Sequence, residues 1–174
     1  PHAHPKAPSI RCTARSAIVT ARLLGTSDPR GEAPEYTGLR AALRMSPEDV
    51  IGAILASGLR GRGGAAYPTG RKWQLAARAT GSPKFVVANG DEGDPGSFID
   101  RELMERDPHS ILEGMAICGH AVGASRGIVF IRSEYPVSAD VMSCAIDAAV
   151  RAGSLGANAL GPGRPFDVEI VRGL

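Results

Sequence analysis

Three short segments rich in β-branched residues, KFVVANG (84–90), GIVFIRSEY (127–135) and PFDVEIV (165–171), alternate with stretches that carry helical signatures. This alternation limits the fold more than any other feature. Each segment is brief and bounded by Gly, Asn, Pro or charged residues, which reads as a strand, KFVVANG as a buried one. Helical stretches run from about 98 to 106 and from 108 to about 122. PVSADVMSCAIDAAVRAG (136–153) then places Val141, Cys144, Ala145 and Ala148 on one helical side. Helices and strands in strict alternation predict an α/β layer, an open, mostly parallel, Rossmann-like sheet with flanking helices. The sequence ends at VRGL, just after the third strand and without a helix to cover it, so the expectation is a truncated domain.

Upstream, MSPEDVIGAILASG (45–58) is a well-signed helix. Ser46 can cap it, Pro47 suits its first position, Asp49 adds an acid to its first turn, and Val50, Ile51, Ile54 and Leu55 form an apolar face that stops at Gly58. A second helix starts at Thr69 and runs through Lys72, Trp73 and Leu75 to about Ala79, with Trp73 expected in the core. SDPRGEAPEY (27–36) is a loop by its Pro, Gly and Asp content, and SAIVTARLLG (16–25) is a short strand or a helical turn. Residues 1–35 therefore form an N-terminal tail or linker, and residues 36–174 a partial domain. The tail has no acid before Asp28 but carries Lys6, Arg11, Arg15 and Arg22, a composition shared by transit peptides and linkers. Its proline-spaced start favours the linker, and His2 and His4 belong to solvated tail.

The 174 residues are 43% hydrophobic and 22% charged, as in an ordinary globular chain. A net charge of +2, with Lys and Arg spread among acids, gives no basic stripe for nucleic acid. No run reaches the roughly 18 apolar residues of a membrane span, so no direct membrane insertion is expected. Cys12, Cys118 and Cys144 are far apart and form no CxxC pair, so they read as buried reduced thiols of a cytosolic-type protein and not as metal ligands.

Two loops carry the chemistry. In GRGGAAYPTGRK (61–72), Gly61, Gly63 and Gly64 let a ligand approach bare backbone, Arg62 and Lys72 supply positive charge, and the helix start near Thr69 adds a favourable dipole. The loop is no P-loop, and it precedes its strand, unlike a dinucleotide fingerprint. On these residues alone an anion site and a glycine-rich structural turn stand level. Tyr67 can stack on a flat ring or pack half-buried. The second loop, NGDEGDPGSF (89–98), puts Asn89, Asp91, Glu92 and Asp94 at the carboxyl end of a strand, where open α/β sheets bind ligands. Carboxylates there accept hydrogen bonds from ribose or ribityl hydroxyls. A divalent-metal cluster of Asp91, Glu92 and Asp94 is the competing reading, although the spacing lacks the alternation of a calcium loop.

The segments SGLRGRGGAAYPTGRKW, VVANGDEGDPGSFIDRELMERDPHSILEGMAI and FIRSEYP resemble the NADH- and FMN-binding subunit of respiratory complex I and its relatives in soluble NAD-linked hydrogenases and formate dehydrogenases. The likeness runs from about Tyr36 to the end and corresponds to the first half of that family's flavin domain. It implies hydride transfer between NADH and FMN, with electrons passed singly to iron–sulfur clusters of a multi-subunit complex. It further implies that Gly61, Arg62, Gly63, Gly64 and Lys72 line FMN, with Lys72 near the phosphate. By the same likeness Asn89 and Asp91 reach the ribityl region, Glu92 and Asp94 face the nicotinamide nucleotide, and Tyr67 stacks near the adenine. A small [2Fe-2S] thioredoxin-like subunit is the implied neighbour, the compartment is the cytoplasm or the matrix side, and any [4Fe-4S] cluster belongs to a C-terminal region outside this sequence.

No protein nucleophile is needed for hydride transfer between stacked rings, so His109 and His120 fall to structural or surface roles. Three positions depart from the complex I pattern: Ala66 for glycine, Tyr67 for phenylalanine, and Asp94 for glutamate. Ala66 and Asp94 look more like the hydrogenase and formate dehydrogenase branch. Two other expectations stand beside the redox subunit: a truncated fragment that binds nothing by itself, and a nucleotide-binding module without redox chemistry.

Overall fold

The computed structural model describes residues 29–62 and 64–173. SAIVTARLLG, Cys12 and the tail histidines lie outside the described residues. Element order is α1 (Thr37–Ala42), α2 (Pro47–Ala56), α3 (Thr69–Arg78), β1 (Phe85–Gly90), α4 (Ile99–Arg106), α5 (Pro108–Val122), β2 (Arg126–Ile131), α6 (Pro136–Arg151) and β3 (Asp167–Arg172). The strands form one parallel sheet in the order β1-β2-β3. Phe85 pairs with Arg126 and Gly90 with Ile131, and Arg126 in turn pairs with Asp167 and Ile131 with Arg172, so the three carboxyl ends are level. The expected parallel α/β sheet is therefore present.

α5 packs on β1 and β2, and α6 on β3, so the helices share one face of the sheet. Between them lies the main core, with Leu112, Ala116, Val129, Ile131, Met142, Ala145, Ala149 and Phe166 almost fully buried. A second small cluster of Ala42, Val50, Ile51 and Ala121, with Trp73 against it, seats α2 and α3 on α5. α1 was not expected, although Tyr36, Leu39 and Ala42, spaced three apart and all buried, mark its inner face.

Two expectations need correction. β1 is not buried on both faces: Phe85 is 45% exposed and Val87 58%, because no described element covers the side of the sheet opposite the helices. The β-branched run reports strand propensity and not the number of covered faces. Cys144, placed on the inner side of α6, is exposed, while Val141, Ala145 and Ala148 are buried as expected. Cys118 is partly buried on α5. Its burial raises the thiol to about 12 against the opposing charge of Lys72.

Both histidines of the α5 region are buried and bonded. His109 Nδ1 lies 3.0 Å from the Tyr36 hydroxyl. His120 Nε2–H donates to the Met45 carbonyl at 3.1 Å while Nδ1 accepts from Arg164 at 3.2 Å, which uses both nitrogens of a neutral ring.

Gly70 sets how closely α3 lies on α2, since a Cβ there would stand 2.7 Å from the Leu55 nitrogen and 2.9 Å from its Cα. A backbone cannot yield as a side-chain tip does. Gly70→Ala is expected to lower stability, because overpacking of about 1–3 kcal/mol exceeds the roughly 1 kcal/mol of helix propensity gained. The urea midpoint of the variant checks it, and a midpoint equal to or above the parent's contradicts this packing.

Candidate functional site

The glycine-rich loop leaves α2 through Gly58, whose φ of +68° suits glycine and ends the helix. The chain then makes a pinned excursion. The Thr69 amide donates to the Leu59 carbonyl at 2.9 Å, the Gly61 amide donates to the Tyr67 carbonyl at 2.9 Å, and Arg60 and Pro68 form an antiparallel bridge at the neck. Arg60 Nη1 donates across it to the Ala66 carbonyl at 2.9 Å. The neck thus consumes the Gly61 amide, and what Gly61 leaves to a ligand is bare Cα surface.

Beyond the neck, Arg62, Gly64 and Tyr67 are exposed, and so is Lys72 in the first turn of α3. Arg62 and Lys72 form no hydrogen bond or ion pair with a described residue. Gly63 lies outside the described residues. Gly64 has φ +93°, which glycine accepts freely, and Ala66 has φ +48°, which an L-residue with a Cβ adopts only at a cost.

The acidic loop begins where β1 ends. Asn89 Oδ1 accepts from the Asp91 amide at 2.9 Å, a side-chain turn that bends the chain out of the sheet. Glu92 is buried. Its Oε1 accepts from Ser97 Oγ at 2.8 Å and from the Ile99 amide at 2.7 Å, and its Oε2 accepts from the amides of Asp100 at 3.1 Å and Arg101 at 3.3 Å. The carboxylate therefore covers the first turn of α4, whose own N-cap residue, Phe98, offers no side-chain bond. Burial raises the Glu92 pKa, but the bonds from Ser97, Asp100, Arg101 and Ile99 outweigh it, and the net pKa falls below the usual value. Beside it Asp100 is pushed up, first by burial and then by the Glu92 charge.

Asp91 and Asp94 flank Glu92, both exposed and with carboxylates that take no hydrogen bond from a described residue. The three acids do not converge: Glu92 is spent on α4, and among the described residues no three His, Cys, Asp or Glu side chains gather as a metal site would require.

The end of β2 meets this loop. Arg132 Nη1 donates to the Glu92 carbonyl at 2.6 Å, and the same guanidinium grips Glu134 through Nη2 at 2.7 Å and Nε at 3.2 Å. Sequence reasoning assigned no role to Arg132, Glu134, Tyr135 or Arg101. Their segments were conspicuous, yet only the level strand ends of β1 and β2 reveal that 132 sits beside 92. A cavity of about 190 Å³ lies on the helix side of β1, lined by Ala88, Asn89, Gly90, Asp100, Leu103 and Met104. Ligand pockets for drug-sized molecules start at roughly 300 Å³, so this one does not enclose a nucleotide by itself.

No hydrogen bond or ion pair between described residues joins the two loops. They are related through the scaffold: α3 packs on α5, and α5 packs on β1. What they bring is complementary. One is a pinned, exposed, cationic loop with glycine surface, and the other is a pair of free carboxylates with an amide side chain at the carboxyl end of a parallel sheet.

Residues 54–173 match the Nuo51 FMN-binding domain family. The chain is 49% identical over 138 residues to the NADP-reducing hydrogenase subunit HndC of Solidesulfovibrio fructosivorans, covering 79% of this chain and 28% of that protein. It is 44% identical over 126 residues to the mitochondrial NADH dehydrogenase (ubiquinone) flavoprotein 1 of Dictyostelium discoideum, covering 71% and 26%. Among solved structures, the NAD+-reducing [NiFe]-hydrogenase in the H2-reduced state superposes with a TM-score of 0.66 at 31% identity, over 82% of this chain and 23% of that one. The chain thus spans under a third of the length of these relatives.

Two substitutions test the local geometry. Ala66→Gly removes the left-handed strain and is expected to stabilise by about 1 kcal/mol, read as a raised urea midpoint. Glu92→Gln is expected to cost about 1 kcal/mol at pH 7, as loss of a helix cap does. Because the folded pKa of Glu92 is lowered, its contribution is present above the ordinary carboxylate range and lost as pH falls through the folded value. The gap between parent and Glu92→Gln should therefore close in acid, and a gap that persists there contradicts the capping role.

Proposed function

Since the chain belongs to the Nuo51 FMN-binding domain family, we propose that the protein carrying it is a flavoprotein electron-transfer subunit that binds FMN and moves a hydride between NADH and FMN. Electrons then leave singly for the iron–sulfur clusters of a multi-subunit NADH dehydrogenase, hydrogenase or formate dehydrogenase. The observation that carries the reading is the pair of loops: exposed Arg62 and Lys72 on one, and on the other exposed Asp91 and Asp94, whose carboxylates take no hydrogen bond from a described residue. Phosphate suits the first, and sugar or ribityl hydroxyls suit the second.

In this reading Gly61, Gly63 and Gly64 let the backbone approach the flavin, and Lys72 and Arg62 neutralise its phosphate. Asn89 and Asp91 accept from ribityl hydroxyls. Asp94 faces the nicotinamide nucleotide, Tyr67 stacks near its adenine, and Glu92, its carboxylate engaged on α4, serves that side by holding the loop. FMN, when bound, supplies the step from two-electron to one-electron chemistry. The residues of the chain bind, orient and tune charge, and none of those assigned here moves a proton or forms a bond.

The neighbours proposed are other redox subunits, among them a small [2Fe-2S] thioredoxin-like one, with a [4Fe-4S] cluster in a further part of the same protein. We place it in the cytoplasm or on the matrix side, peripheral to any membrane component. No described helix is long and apolar enough to cross a membrane. A second reading, a chain that holds no nucleotide without a covering partner, has two observations in its favour: no described element covers the sheet face with Phe85 and Val87, and the cavity at the end of β1 is small.

The test uses the intact protein purified with its natural partner subunits. Flavin absorbance bleached by NADH and restored by an artificial acceptor is the expected result, and absence of flavin after reconstitution with FMN contradicts it. Lys72→Met is expected to weaken FMN about tenfold while leaving riboflavin, which lacks the phosphate, unchanged in a fluorescence titration. Equal weakening of both ligands would remove Lys72 from the phosphate.

A further inference from the structure

We propose that Arg132 is a positioning residue for the acidic loop, fixing Asp91 and Asp94 by holding the backbone of Glu92 from the neighbouring strand. This rests on the redox reading above and adds to it a residue from the FIRSEYP segment.

The hold has several contacts in one small volume. β2 ends at Ile131, level with Gly90 of β1, so position 132 begins just beyond the sheet beside the acidic loop. There the guanidinium divides its donors. Nη1 goes to the Glu92 carbonyl at 2.6 Å, and Nη2 and Nε form a fork on Glu134 at 2.7 and 3.2 Å. Its Cζ lies 5.4 Å from the centroid of the Tyr135 ring, and the Arg101 guanidinium lies 5.7 Å from the same ring. Arg101 belongs to the first turn of α4, the turn whose amides hold the Glu92 carboxylate. Glu92 is thus fixed at both ends, its carbonyl by Arg132 and its carboxylate by α4. Held at both ends, Glu92 fixes the direction in which the chain leaves it, to Asp91 directly and to Asp94 across Gly93, where the Ser97 amide also holds the Asp94 carbonyl at 3.0 Å.

Arg is the side chain this place requires. One planar fork satisfies a carbonyl and a carboxylate at once and still stacks on an aromatic ring, whereas the ammonium of lysine is a point donor on a flexible stem. Glu134 keeps the fork in register, and its carboxylate is held down to about 2 by the bond from Arg132, so the pair stays ionised throughout the range in which proteins work. The pair itself is worth little to stability. Glu134 is 58% exposed and Arg132 25%, so water screens much of their attraction. Loss of Arg132 should therefore release the loop without unfolding the domain, which separates positioning from a merely structural part.

The experiment compares Arg132→Met, Arg132→Lys and Glu134→Gln in the intact flavin-loaded protein, measuring KM and kcat for NADH, the melting temperature, and amide hydrogen exchange at residues 99–101. Arg132→Met is expected to raise KM about tenfold with kcat within about twofold, the split that marks lost ground-state binding. Its melting temperature should move by only a few degrees. Exchange at 99–101 should quicken, since the capping carboxylate loses its anchor. Arg132→Lys should recover part of the KM, and Glu134→Gln should lie between parent and Arg132→Met. An unchanged KM in folded Arg132→Met overturns the proposal, as does an Arg132→Lys variant as impaired as Arg132→Met with melting temperatures that fall in step. If the parent protein itself oxidises no NADH, the redox reading has failed, and exchange at 99–101 decides this inference alone: faster exchange in Arg132→Met supports the positioning of the loop, and unaltered exchange overturns it.

Discussion

The carboxylate of Glu92 on the first turn of α4 is the contact on which the candidate site depends. It is made across a Gly- and Pro-bearing turn, and it joins the end of β1 to the helix that returns across the sheet. Without an acceptor there, the leading amides of α4 would have no side-chain cap, since Phe98 offers none. With it, the short path from strand to helix becomes a rigid bracket, and the free carboxylates of Asp91 and Asp94 stand on that bracket instead of on a loose loop. Function in an electron-transfer site of this proposed kind is a matter of placement, because no side-chain nucleophile or acid takes part.

The glycine-rich loop reaches rigidity by a different route. Its stem is closed by main-chain bonds at Leu59, Gly61, Tyr67 and Thr69, and its base is fixed by the contact of Gly70 with Leu55. Only its tip is left to a ligand. Both loops thus combine a stiff base with an exposed, charged end, and both are carried by the layer in which α5 lies between α3 and β1. Among the described residues no element covers the opposite face of the sheet, which leaves Phe85 and Val87 exposed.

Much of this was legible in the sequence. Ser46, Pro47 and Asp49 announce α2 because capping is a local event within four residues, and the structure shows the Asp49 amide donating to Ser46 Oγ. The three strands were legible for the same reason, since their β-branched runs and bounding turns lie within a few residues of one another. Membership of the FMN-binding family was legible in the two loops. What was not legible is whatever depends on register between distant segments. Glu92 caps amides seven to nine residues ahead, outside any local cap signature, so it read as one more site acid. Arg132 lies forty positions from its carbonyl partner and is brought there only by the pairing of Gly90 with Ile131. Exposure of Val87 and Cys144 was misjudged because residue type reports propensity, while the number of covered faces is a property of the assembled layers.

A crystal structure of the protein with FMN bound decides whether these loops hold the flavin. Its phosphate is expected within about 3 Å of Lys72 or Arg62, with ribityl hydroxyls on Asn89 and Asp91 and the Glu92 carboxylate still on the amides of α4. A flavin seated away from these loops, or a Glu92 side chain turned off the helix to meet the ligand, would contradict this arrangement.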